Sequence, residues 1–168
     1  MITVQKAELT HVEGISKVCS NGYRDTYRET HSQDYIERII REFYNHERIR
    51  DEVLYDCDGW DGWFVALDDE KVVGAIGGGI ADGNKAEVYV LYLDPNRRRE
   101  GMGSLLLDAL TNLQKEKGAT EQWVSVSQGN DKGIPFYEAR GFVFECEQES
   151  YANDEGEAYK SFRYYRKI

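Results

Sequence analysis

The stretch Leu91-Tyr-Leu-Asp-Pro-Asn-Arg-Arg-Arg-Glu-Gly-Met-Gly-Ser104 holds the residues best suited to chemistry: a β-rich run, a short basic loop with two glycines, and the start of a strongly apolar helical segment. Where a strand passes through such a loop into a helix, the unbonded N–H groups of the first turn and the helix dipole favour an anion. Glycines let that anion approach the backbone. The spacing from Arg98 through Gly101 to Gly103 is R-x-x-G-x-G, so the chemistry to expect is the holding of phosphate. Two other phosphate loops are excluded, because the chain has no G-x-x-x-x-G-K-[ST] and neither this loop nor Gly77-Gly-Gly79 has the spacing G-x-G-x-x-G. On this segment alone a plainer alternative stays open, in which the glycines only shape a turn and the arginines are solvated.

A second segment narrows the choice. Asn130-Asp-Lys-Gly-Ile-Pro-Phe-Tyr-Glu-Ala-Arg-Gly-Phe142 follows the first in the chain. In this order, the two resemble the GNAT superfamily of N-acetyltransferases, whose motifs are Q/R-x-x-G-x-G/A and N-x-x-A-x-x-F-Y-x-x-x-G-F. Asn130, Phe136, Tyr137, Gly141 and Phe142 are in register with the second motif, while Gly133 and Pro135 depart from it. Proline in the first turn of a helix is tolerated, since an N–H there makes no intrahelical bond that proline would remove. The resemblance covers most of the chain from about Trp63 onward.

It implies a mixed α/β fold with a central, mostly antiparallel sheet, splayed strands and flanking helices, formed by the whole chain as one N-acetyltransferase domain. It implies acetyl-CoA as cosubstrate, with the pantetheine arm along Leu91, Tyr92 and Leu93. The pyrophosphate would lie on the loop Arg98, Arg99, Glu100, Gly101, Met102, Gly103 and Ser104, with further contacts from Asn130 and Phe136. Tyr137 stands where the family keeps the tyrosine that protonates the departing thiolate. A phenol with a pKa near 10 is protonated at neutral pH and can donate to a sulfur that becomes basic as the thioester breaks. Glu87 stands six residues before Leu93, where the histone-acetyltransferase branch keeps a strand glutamate as general base. The alternatives are that ordered water carries the amine's proton, or that Glu87 only opens a strand.

The acceptor site is expected to come from the segment between the first two helices and from the β-hairpin. There Tyr23, Asp25, Tyr27 and Glu29, with Asp56, Asp58, Trp60 and Asp61, supply carboxylates and aromatic faces, the groups that hold a cation. The layout is similar to that of bacterial polyamine N-acetyltransferases and makes a polyamine or another small cationic amine the first expectation. A protein N-terminus or lysine is the second. A non-catalytic acyl-CoA-binding module is the reading from a different class, and a homodimer is compatible with the resemblance.

The elements that must position these residues are legible in outline. Thr3 to Ala7 reads as a strand, and Thr10-His-Val-Glu13 has the spacing of a capping box that opens a first helix. Tyr35, Ile36, Ile39, Ile40 and Phe43 predict a second helix over Asp34 to Tyr44, with an aromatic stretch, Tyr23 to His31, between the two. Trp63 to Leu67 and Val72 to Ile80 read as a hairpin. Glu87 to Leu93 reads as a strand buried on both faces. Leu105, Leu106, Ala109, Leu110 and Leu113 make one helical stripe, closed by Gly118. A strand over Trp123 to Val126, a helix over Asp131 to Arg140, and strands over Phe142 to Glu147 and Phe162 to Tyr165 complete the series.

Composition bounds the function from outside. With 168 residues and 40% of them hydrophobic, the chain is long enough for one packed core without a disulfide or metal. Acidic residues outnumber basic ones by 31 to 21, a formal charge of -10 that argues against nucleic acid as a partner. Cys19, Cys57 and Cys146 have no disulfide or zinc spacing, which fits a reducing, cytoplasmic setting, and His11, His31 and His46 lack metal-ligand spacing. No stretch approaches the roughly 18 apolar residues of a membrane span.

Overall fold

Seven segments rich in β-branched and aromatic residues form one sheet. In the computed structural model, which describes Met1–Ile168, they are β1 (Ile2–Lys6), β2 (Trp63–Asp68), β3 (Lys71–Asp82), β4 (Lys85–Leu93), β5 (Glu121–Ser127), β6 (Val143–Glu149) and β7 (Lys160–Lys167). Their order across the sheet is β1-β2-β3-β4-β5-β7-β6. Every neighbouring pair is antiparallel except β4 and β5.

That parallel pair is the feature that matters for function. It runs only from Lys85 opposite Glu121 to Val88 opposite Val124. At the next residue, Tyr89, the register of β4 against β3 shifts, with Gly78 facing Val88 and Gly77 facing Val90. An extra residue in one strand bends it, so β4 leaves β5 there and the two strands open as a V. The closed end is clamped from beneath by buried amides: Gln122 donates to Gln114 (2.8 Å) and Gln114 to the carbonyl of Glu87 (3.1 Å).

Helices cover both faces of the sheet. α4 (Met102–Glu116) buries Met102, Leu106, Leu107 and Leu110 against Val73, Ile76, Val88 and Val124. Across the sheet, α1 (Val12–Tyr27) and α3 (His46–Leu54) bury Ile15, Val18, Cys19 and Ile49 against Trp63, Val65, Leu67, Val72 and Ala75. The alternation Trp63, Val65, Leu67 against Ala66 follows from the two-residue period of a strand. α2 (Gln33–Phe43) adds Tyr35, Ile36, Ile39 and Ile40 to a cluster with Tyr23 and Tyr27. α5 is the short helix Gly133–Glu138.

Several expectations are corrected. Thr10 does not cap the first helix: Leu9–His11 is a 3₁₀ turn in which Glu8 and His11 cap each other, and α1 begins at Val12. α1 then continues to Tyr27, so half of the stretch expected between the helices belongs to its last turns. α3 was not expected, because nine mostly charged residues bury a single side chain, Ile49. Leu105 is exposed and the buried stripe of α4 runs through Leu107 instead, since this helix turns its face one residue further round. β4 is fully covered only over Ala86–Val88; Tyr89 is 51% exposed, because the splay uncovers it. No helix is long and apolar enough to cross a membrane.

Candidate active site

The loop between β4 and α4 has the geometry of an anion site. Gly101 caps α4 with φ +80°, a conformation that favours glycine, and Arg99 takes φ +66° in the turn before it. The first bond of this helix is Leu105 N–H to Gly101 O (3.2 Å), so the amides of Met102, Gly103 and Ser104 precede the intrahelical ladder. No acidic residue lies in this first turn. Glu100 is turned aside by Arg97, which also holds Asp68 (2.7 and 2.9 Å), and Arg98 is held by Asp25 (2.8 Å). A Cβ at Gly103 would stand 2.9 Å from the ring of Phe136, so glycine lets α4 and α5 close on each other. Arg140 stacks on Phe136 and bonds Ser104 Oγ, fixing the same junction.

Beyond Val88 the β4 edge that faces β5 has no strand partner, and the opening leads into a cavity of about 1230 Å³. Leu91 and Tyr92 line it from β4, Ser125 and Ser127 from β5, and Asn130 and Tyr137 from the second motif. An extended ligand arm could pair with the free β4 edge as an added strand would. Leu93 is half-buried and stands at the end of β4, packed against α4's cluster. The backbone edge and the amide-rich helix start together fit the two parts of acetyl-CoA, its arm and its pyrophosphate.

Tyr137 is buried between Phe136 and Phe142, whose rings meet it edge-on at 5.1 and 5.2 Å. Burial, with a smaller contribution from Tyr27, raises its pKa above the ordinary phenol value, so the hydroxyl keeps its proton at neutral pH. Asn130 accepts the N–H of Gly133 (2.9 Å) and thereby shapes the entry to the helix that carries Tyr137.

Glu87 also lines the cavity, but both its oxygens accept from Arg163 (2.6 and 2.9 Å), and Arg163 donates as well to Ser125 Oγ (2.8 Å). Its lone pairs are therefore engaged on the side where the guanidinium lies.

The expected acceptor residues divide. Tyr23, Tyr27, Trp60 and Asp58 line the cavity. Asp25 is turned to Arg98 and Arg28, and Asp61 is buried against Lys117 (2.6 Å); both serve the scaffold. Glu29 and Asp56 are exposed on the surface outside the cavity. The carboxylates that do line it, besides Asp58 and Glu87, are Glu47, Asp51 and Glu52 from α3, the helix the sequence pattern did not reveal. One signal was present: Asn45, whose side chain accepts the N–H of Arg48 as an N-cap. The triplet Gly77-Gly-Gly79 has a different use from phosphate binding. A Cβ at Gly77 would collide with Trp60 and one at Gly79 with the carbonyl of Gly59, so these glycines let the Trp60 loop lie directly on β3.

Comparison with known proteins agrees with this geometry. Residues 21–142 match the model of the acetyltransferase (GNAT) family. A protein of Thermoplasma acidophilum named spermidine N(1)-acetyltransferase is 32% identical over 145 residues, 86% of this chain and 89% of its own length. An uncharacterized N-acetyltransferase of Bacillus subtilis, YuaI, is 30% identical over 83% of this chain and 79% of its own. The crystal structure of PaiA N-acetyltransferase from T. acidophilum in complex with coenzyme A superimposes with a TM-score of 0.85 and 28% identity, covering 100% of this chain and 99% of that one. An amide-lined helix start, a splayed strand pair and a buried tyrosine on the helix after it therefore have one explanation: the chain belongs to the GNAT family and is an N-acetyltransferase that uses acetyl-CoA.

Proposed function

We propose that the chain transfers acetyl from acetyl-CoA to a primary amine of a small polycation, a polyamine being the first candidate. The observation that carries this reading is the joining, in one cavity, of Tyr137 with the carboxylates of Glu47, Asp51, Glu52 and Asp58 and with the rings of Trp60 and Tyr89. Carboxylates and aromatic faces attract ammonium groups, and a net charge of -10 raises their local concentration. The 32% identity to a protein named spermidine N(1)-acetyltransferase supports the same acceptor class.

The arm of acetyl-CoA is assigned to Leu91, Tyr92 and Leu93, and its pyrophosphate to the backbone of Arg98, Arg99, Glu100, Gly101, Met102, Gly103 and Ser104, with Asn130 and Phe136 beside it. The amine, once deprotonated, attacks the thioester carbonyl and the C–N bond forms; as the C–S bond breaks, Tyr137 gives its proton to the leaving sulfur, and the proton that the nitrogen sheds on becoming an amide restores the phenol. Ordered water carries away the proton that the ammonium must lose first, since Glu87, the other candidate, already accepts from Arg163 with both of its oxygens. A reducing cytoplasmic setting fits three cysteines that form no disulfide.

The test is thiol release from acetyl-CoA over a panel of spermidine, spermine, monoamines, amino acids and short peptides. Turnover highest on polyamines is the expected result. Equal or better turnover on peptides would replace the small-polycation reading with a protein acceptor.

A further inference from the structure

The polyamine reading leaves open how the cavity distinguishes a chain of several ammonium groups from a single one. Of its acidic residues, Glu47, Asp51 and Asp58 are exposed, where solvent and salt screen a charge. Glu52 differs: its side chain is 21% exposed and it is fixed by two indoles. Trp63 Nε1 donates to Glu52 Oε1 (3.1 Å) and Trp60 Nε1 to the Glu52 carbonyl (2.8 Å). The two indoles meet edge-to-face at 5.6 Å, and the Trp60 ring stacks toward Tyr89, the bulged residue at the mouth of the strand opening. All four side chains line the cavity that Tyr137 also lines.

The remaining oxygen, Oε2, has as partner only Arg48 at 3.3 Å, a side chain 46% exposed. A half-buried carboxylate with one loose, solvated partner, in a wall that also holds the Trp60 and Tyr89 rings, is a place where a second cation gains both charge pairing and cation–π contact. Burial raises the Glu52 carboxyl above the usual carboxylate range, and an adjacent ammonium would offset that cost.

We infer that Glu52, framed by Trp60 and Trp63, receives a second ammonium group of the acceptor and so selects linear di- and polyamines over monoamines of similar length. This rests on the small-polycation reading above. Arg48 is the competitor that the ammonium replaces.

The experiment compares spermidine with hexylamine for the wild type, Glu52→Gln and Arg48→Gln. Glutamine keeps the acceptor for Trp63, so folding is preserved while the charge is removed. The expected result for Glu52→Gln is a KM for spermidine raised about tenfold with kcat nearly kept, and kcat/KM for hexylamine within about twofold of wild type. Arg48→Gln is expected to move the spermidine KM the opposite way. An equal loss on both amines, or no loss on either, overturns the proposal while leaving the acetyltransferase reading intact. If no polyamine is acetylated at all, the acceptor reading fails separately, and titration of spermidine against tryptophan fluorescence still decides the site. Saturable quenching that weakens about tenfold in Glu52→Gln supports the site; absent or unchanged quenching overturns it.

Discussion

Arg163 grips Glu87 with both of its terminal nitrogens, at 2.6 and 2.9 Å, across the closed end of the strand opening. The side chains are 20% and 11% exposed, so this is an ion pair largely withdrawn from water. Breaking such a pair from one side strands a charge. Glu87→Gln and Arg163→Gln are each expected to cost about 3 kcal/mol in urea unfolding, and the double variant less than the sum of the two. Additive losses would show that the two residues act separately.

Tyr137→Phe keeps the ring packed between Phe136 and Phe142 and removes only the hydroxyl. Thermal stability should stay close to wild type while kcat falls about a hundredfold or more, the usual range for a lost general acid. Retention of binding to CoA, measured by calorimetry, would separate this chemical loss from a loss of cofactor. An unchanged kcat would remove Tyr137 from the reaction.

The glycine triplet of β3 offers a test of how the cavity wall that carries Trp60 is built. In Gly79→Ala the new Cβ meets the backbone oxygen of Gly59, which cannot swing away as a side-chain end could. The expected cost is about 1–3 kcal/mol, together with a displaced Trp60 loop. KM for the amine should rise while KM for acetyl-CoA is kept, because the loop proposed to hold the pyrophosphate lies at the other end of β4. Steady-state kinetics with each substrate varied in turn reads this split.

His31 is expected to give the fold a pH dependence. It is buried, stacked on Tyr159 at 4.1 Å, and its ring nitrogen contacts Thr30 Oγ1 (2.8 Å). Burial lowers its pKa below the ordinary value, a trend that nearby Glu157 partly opposes. The folded state therefore prefers the neutral ring. This stability is present above the unfolded pKa of about 6.5 and is lost as pH falls through the depressed folded value. Tm should drop between about pH 7 and pH 5, and His31→Gln should flatten that limb; an identical slope in the variant would assign the dependence to other groups.

What the sequence determined by itself is what depends on neighbours along the chain. A strand that passes through a glycine-bearing loop into a helix start free of acids depends on neighbouring residues alone, so the segment Leu91 to Ser104 could be read without coordinates. Most strands and the helices expected over Asp34 to Tyr44 and through the stripe Leu105 to Leu113 followed from apolar period, with ends off by a few residues. The short α3 did not, because a surface helix with one buried residue has almost no period to read.

Only the tertiary structure decided which side chains share the cavity. Asp25 and Asp58 look alike in sequence, yet one is spent on Arg98 and the other faces the cavity, since the outcome depends on cations 73 residues away. The strand opening is likewise non-local. It needs the bulge at Tyr89, set by the register of β4 on β3, and the buried Gln122–Gln114 clamp that keeps the other end shut. Glu87, legible as a strand glutamate, became half of an ion pair only when β7 brought Arg163 alongside β5.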